Sequence, residues 1–168
     1  MSKISNIKFV DASYFLDYED KLPEKLSVYE AYGYAEESNE SVTVSFIEPL
    51  SDKQTKIIKG LIIPRSALLS YKNKTKILNS GITKGVMVSV TWSDVVYVAN
   101  TQRNTHSSMY TEGVLEEIAE DFLILMDPET IRFSPLPIVN HPKVKPARYM
   151  IPLSIIQKIE PQKQNEKK

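Results

Sequence analysis

The sequence predicts a mainly β chain folded as two small barrels in tandem, with little helix, and three observations lead there. Runs such as Ser41–Phe46 (SVTVSF) alternate polar and apolar residues with a period of two, the mark of a strand with one wet and one buried face. The pattern Ile-Pro-x-Ser occurs twice, as Ile63-Pro64-Arg65-Ser66 and as Ile151-Pro152-Leu153-Ser154. Other landmarks recur in the same order in both parts: Phe9 with Trp92, Asp11 with Asp94, Gly33 with Gly113 and Pro49 with Pro128. Ordered landmarks whose spacing changes only in loops are what an internal duplication leaves behind.

The elements follow in chain order. NIKFVDASYF from Asn6 and VSVTWSDVVYV from Val88 are rich in β-branched and aromatic residues and read as the first strand of each copy. The segment Tyr14–Leu26 is the best candidate helix, which Pro23 would break. YGYAEESNESVTVSFIEP from Tyr32 and EGVLEEIAEDFLILMDP from Glu112 each read as strand, acidic turn and strand. FLILM from Phe122 is continuously apolar, as in a strand covered on both faces. Pro64 and Pro152 cannot donate to a ladder and belong at strand ends or edges; a short 3₁₀ turn and a closing strand should follow each. The expected layout is a first barrel over 1–70, a linker over 71–85, a second barrel over 86–161 and a polar tail over 162–168.

This order of strand, long loop, bent hairpin, strand, turn and short strand resembles the SH3-like barrels. In the second copy Gly113, Leu115, Ile118 and Phe122–Leu125, followed by Ser154-Ile155-Ile156, look like the Sm-like subset. The resemblance implies the barrel fold and carries over no binding residue.

Composition bounds the function. Lys plus Arg and Asp plus Glu are balanced at 21 each, so no global field draws the chain to nucleic acid or an anionic surface. There is no cysteine, which removes thiolate catalysis and cysteine-ligated metals and fits a reducing cytoplasm. No leader or membrane-spanning run is expected. The only histidines are His106 and His141, both in loops, and the 5 glycines are scattered, so neither a nucleophile triad nor a phosphate loop is expected. No enzyme, cofactor or metal site is expected. The carboxylate pairs Glu36-Glu37, Glu116-Glu117 and Glu120-Asp121 read as a solvated edge, so replacing Glu116 should be nearly silent. Asp11 and Asp94, each just after a buried aromatic, fit turn-setting better than ligand binding. Tyr14, Tyr18, Tyr29, Tyr32 and Tyr34 are expected in core and rim packing.

A non-enzymatic binding or assembly module is therefore expected, one that recognises a protein partner or a small polar ligand through its loops, with homo-oligomers within reach and no membrane contact. The second copy joins its third and fourth strands by a connection containing Pro135, Pro137, Pro142 and Pro146, stiff enough to dock at low entropic cost. Beside the loop Ala99–Ser108 it would offer Arg103, Asn104, His106, Asn140 and His141 to a ligand. The alternative is an RNA- or DNA-binding Sm-like protein using the basic stretch Lys53, Lys56, Lys59, Arg65, Lys72, Lys74 and Lys76, a stretch that also fits a solvated face or contact with a neighbouring barrel.

Overall fold

The structure is a computed structural model that describes residues 3–48, 57–71, 82–99, 107–132 and 145–163. The first half contributes β1 (Lys3–Phe9), β2 (Ser13–Phe15), β3 (Tyr29–Glu37), β4 (Ser41–Glu48) and β5 (Ile57–Pro64), then a 3₁₀ turn at Arg65–Ala67. The second contributes β6 (Met87–Asp94), β7 (Val96–Ala99), β8 (Ser107–Ile118), β9 (Phe122–Arg132) and β10 (Arg148–Pro152), a 3₁₀ turn at Leu153–Ile155, and β11 (Ile156–Pro161). The chain is mainly β, as its alternating runs require. The predicted linker lies largely outside the described residues.

The strands form two antiparallel sheets that exchange a strand. One sheet has the order β1-β3-β4-β5-β7 and the other β11-β6-β8-β9-β10-β2. Thus β2 leaves the first half to pair with β10, while β7 leaves the second to pair with β5. The registers correspond: Tyr14 lies opposite Tyr149 as Tyr97 lies opposite Leu61, and Ser13 opposite Met150 as Val96 opposite Ile62. Phe9 bridges to Leu68 just after the first 3₁₀ turn, and Trp92 pairs with Ile156 just after the second. Among the described residues both sheets are open and the closed barrels expected from the sequence do not form, because each short second strand extends the opposite sheet instead of curling back on its own.

Residues from both halves build one core, which includes Phe9, Val44, Ile63, Val90, Trp92, Leu115, Leu125, Ile151 and Ile155. The two sheets therefore bury their apolar faces together, and burial of this kind stabilises by about 25 cal/mol per Å² of apolar surface. Leu123 and Leu125 point into this core, whereas Phe122 and Ile124 form a second cluster with Met150. That accounts for the unbroken apolar run FLILM. The second cluster is roofed by Phe15, Leu22 and Leu26. The predicted helix over Tyr14–Leu26 does not form: Ser13–Phe15 is strand, and the following residues cross the sheet as turns that dock Leu22 and Leu26 on either side of Pro23.

Glycines mark where strands approach closely. A Cβ on Gly33 would lie 2.5 Å from the Ser45 carbonyl oxygen and one on Gly60 2.9 Å from that of Val44, too close for a side chain without a shift, and one on Gly113 would lie a tight 3.1 Å from that of Met126. At Gly113 the β8–β9 register shifts, and a second shift follows between Leu115 and Glu117. This second bulge carries Glu116, which meets Arg148 in an ion pair at 2.9 Å. With the two side chains 17% and 31% exposed in the order Arg148, Glu116, this pair is not the solvated edge the sequence suggested. The tyrosines also differ from expectation. Tyr14, Tyr18, Tyr29, Tyr32 and Tyr34 are all exposed: alternation in β3 turns Tyr32 and Tyr34 onto its outer face, while Tyr14, on the edge strand β2, stands edge-on to Tyr149 on the face that carries the main core. Tyr29 stacks on Phe9 at the rim, and Tyr18 donates a hydrogen bond to Asp127 from the turn region after β2.

Candidate functional site

The exchange of β2 and β7 creates two features where the halves meet: a pair of half-buried carboxyl groups and a groove. Asp11 follows β1 and Asp94 ends β6, each at the bend where the chain leaves for the opposite sheet. Asp11 Oδ1 accepts a hydrogen bond from the Ala12 N–H at 2.9 Å, and the carboxyl group also accepts from the Val95 N–H in the other half. Asp11 thus sets its own turn and ties it to the partner crossover, by bonding the next residue rather than the residue two on. Burial, with the nearby Asp94 charge second, raises its pKa from 3.8 to about 7; the two backbone bonds pull the other way.

A polar chain runs close by. Trp92 Nε1–H donates to Thr111 Oγ1 at 2.9 Å, and Thr111 shares a hydrogen bond with Thr130 at 2.8 Å. Thr130 also bonds Tyr149, whose pKa is raised by burial and by Asp94. Every polar group that Trp92 brings into the core therefore has a partner.

The groove has a volume of about 620 Å³. One wall is the β2–β3 connection, with Leu26 held by the second cluster and Val28 exposed beside it. A second is Val10 with Leu68, Leu69 and Tyr71, where a turn closed by Tyr71 N–H to the Leu68 carbonyl bends the chain off the sheet. The third comes from the other half: the β8–β9 turn Ala119–Phe122, closed by Ala119 N–H to the Phe122 carbonyl, and Leu153-Ser154, docked by Leu153 N–H to the Asp121 carbonyl. Leucine, valine and phenylalanine make the walls; Glu24, Glu120 and Asp121 bring carboxylates against a single lysine, Lys25. Such a site suits an extended chain that buries an apolar side chain and carries a cation next to it.

The sequence-predicted ligand residues Arg103, Asn104, His106, Asn140 and His141 lie outside the described residues. So do Lys53, Lys56, Lys72, Lys74 and Lys76 of the basic stretch, while Lys59 is described only as backbone in β5. Arg65 is described, and it is engaged: its Nε–H donates to the Ser38 carbonyl at 2.6 Å, and its guanidinium pairs with Glu37 at 3.0 Å. None of the groove residues was singled out from the sequence as a binding group, apart from the Glu120-Asp121 pair noted there as edge charge. Its walls come from segments remote in the chain, each holding one or two ordinary apolar residues. Leu69 and Val28, about half exposed, are the signal visible only once the fold is known.

Compared with known protein families, with curated proteins and with solved structures, the chain matches none. Among the described residues, no helix is long and apolar enough to cross a membrane.

Proposed function

We propose that the chain is a non-enzymatic binding module whose groove between the two halves takes an extended protein segment bearing an apolar anchor next to Lys or Arg. The observation that carries this reading is the groove itself: an apolar cleft of about 620 Å³ with the carboxylates of Glu24, Glu120 and Asp121 around it. Apolar burial supplies affinity there, and the carboxylates select a cationic neighbour. The reading goes with an internal duplication. Each half is an open relative of the SH3-like barrel, supported in the second by the order β11-β6-β8-β9-β10 with a 3₁₀ turn before the last strand. Two such halves interlocked by strand exchange make a joint that neither would have alone. A nucleic-acid surface has less behind it, since Arg65 is committed to Glu37 and Ser38.

An array of synthetic peptides with a Leu or Phe anchor, flanked by Lys or Arg in one set and by Glu in the other, tests the reading. The basic set should bind, with resonance shifts at Leu26, Leu68 and Leu69, and Leu69→Asp should abolish binding while leaving the fold intact. Equal binding of the two sets, or binding that survives Leu69→Asp, would remove the groove from consideration.

A further inference from the structure

The four sheet edges are not alike. β2 has 3 residues and β7 has 4, too short to template much pairing. β11 has 6 residues but carries a register shift, Lys158 and a terminal Pro161. β1 has 7 residues, a continuous register against β3, and neither proline nor bulge. Natural edges are normally blunted by such devices; β1 carries lysines only near its ends, at Lys3 and Lys8, and leaves Ile4–Ile7 between them without charge, proline or bulge. In the other half the equivalent edge, that of β6, is filled by β11. In the first half the chain makes only the Phe9–Leu68 bridge and the two bonds that flank it, Val10 N–H to the Ala67 carbonyl at 2.9 Å and Leu69 N–H to the Lys8 carbonyl at 3.0 Å, before it turns away. Among the described residues nothing pairs with the rest of that edge.

The Lys8 carbonyl faces this edge, so strand alternation places the N–H and C=O groups of Asn6 and Ile4 on it too. These four groups lie symmetrically about Ser5, and this symmetry makes the edge complementary to itself. We propose that β1 pairs antiparallel with β1 of a second copy of this chain around a two-fold axis through Ser5. Ile4 and Asn6 of each copy then exchange both of their bonds with Asn6 and Ile4 of the other, and the ladder stops short of Leu69. Lys3 comes opposite Ile7, and Ser5 faces its own counterpart as a non-hydrogen-bonded pair. The surface beside the ladder suits burial: Ile4 is 49% exposed and sits across from Tyr34, with exposed Tyr32 next in line. Charge does not oppose the pairing, because Lys8 is matched by Glu30 at 3.4 Å and the chain is neutral overall. The contact is narrow, so the dimer is weak and depends on concentration. It joins two groove-bearing molecules but does not depend on what the groove holds.

The absence of native cysteine makes a clean test. Opposed residues of a non-hydrogen-bonded pair lie about 4.5 Å apart between Cα atoms, within disulfide reach. Ser5→Cys should therefore cross-link to a covalent dimer under mild oxidation, whereas Lys3→Cys, more exposed but facing Ile7 of the other copy, should not. Sedimentation of the wild-type chain should show a mass rising with concentration from 19.1 kDa toward twice that. Asn6→Pro, which removes an edge donor without touching the β3 ladder, should weaken the dimer at least about tenfold. If Asn6→Pro proves unfolded by circular dichroism, Ile4→Lys at an exposed position takes its place, with the same loss expected. A wild-type chain that stays at 19.1 kDa up to several hundred micromolar would overturn the proposal. So would a folded variant that dimerises like the wild type, or cross-linking of Lys3→Cys as readily as of Ser5→Cys.

Discussion

Asp11→Asn should stabilise the protein above neutral pH, against the usual expectation that removing a buried charge partner costs stability. Burial and the facing Asp94 raise the Asp11 pKa from 3.8 to about 7, so at pH 8 the folded state must ionise a carboxyl group that resists it. A carboxyl group whose folded pKa lies above its unfolded one contributes most below 3.8. Its contribution falls as the pH rises from there to about 7, and stays level beyond. At about 1.4 kcal/mol per tenfold in proton affinity, the full loss is bounded by about 4 kcal/mol. Asparagine keeps a side-chain oxygen for the Ala12 and Val95 N–H groups and has no charge to lose. The expected gain at pH 8 is therefore about 2–4 kcal/mol, a rise in Tm of roughly 5–15 °C for a chain of this size. At pH 4 the variant and wild type should differ little. Thermal melts of both proteins from pH 4 to pH 9 give the comparison, and using their difference cancels groups such as Glu30, whose pKa is lowered by Asn6 and Lys8 and which acts in the opposite sense. A variant less stable than wild type at pH 8 by as much as at pH 4 would refute the reasoning. Asp11 would then be a charged acceptor for its two backbone donors.

Further outcomes can be checked by melts, urea titrations and the binding assays. Trp92→Ala should cost about 3–5 kcal/mol through lost burial and a cavity, and Thr111→Val about 1–3 kcal/mol by leaving the Trp92 N–H and Thr130 without their shared partner. Glu116→Ala should cost about 1–3 kcal/mol by stranding Arg148, and adding Arg148→Met should recover most of it; urea titrations separate the three proteins. Glu120→Lys should leave Tm within about a degree and weaken binding of the basic peptides, since the residue lies at an exposed turn along the groove.

The strands were readable because burial imposes a period on them. SVTVSF alternates since one face of β4 enters the core, and FLILM does not alternate since β9 is covered on both faces. The Ile-Pro-x-Ser repeats were readable because proline ends β5 and β10 at corresponding places. What escaped is the choice of partner. Ser13–Phe15 and Val96–Ala99 are short strands, and their residues look the same whichever sheet they extend, so an open exchanged pair of sheets reads like two closed barrels. A bulge is equally silent: nothing in Leu115-Glu116-Glu117 says which acid turns toward Arg148. The tyrosines misled because aromatic residues suggest a core, while the alternation of β3 places Tyr32 and Tyr34 on its outer face beside the β1 edge. The groove went unread for the same reason as the exchange. It exists only where β2 has carried Leu26 across to Phe122 and Leu153.

Strand exchange underlies both the carboxyl pair and the groove, and proton contacts across the exchanged ladders test it most directly. In isotope-labelled protein, diluted to keep any association low, the Hα and N–H protons of Tyr14 should show nuclear Overhauser contacts to Tyr149, and those of Tyr97 to Leu61. Mixing differently labelled chains should give none of these contacts between molecules. If Tyr14 instead contacts β5, or Tyr97 contacts β10, each half folds on its own strands, and the groove between them does not form as described.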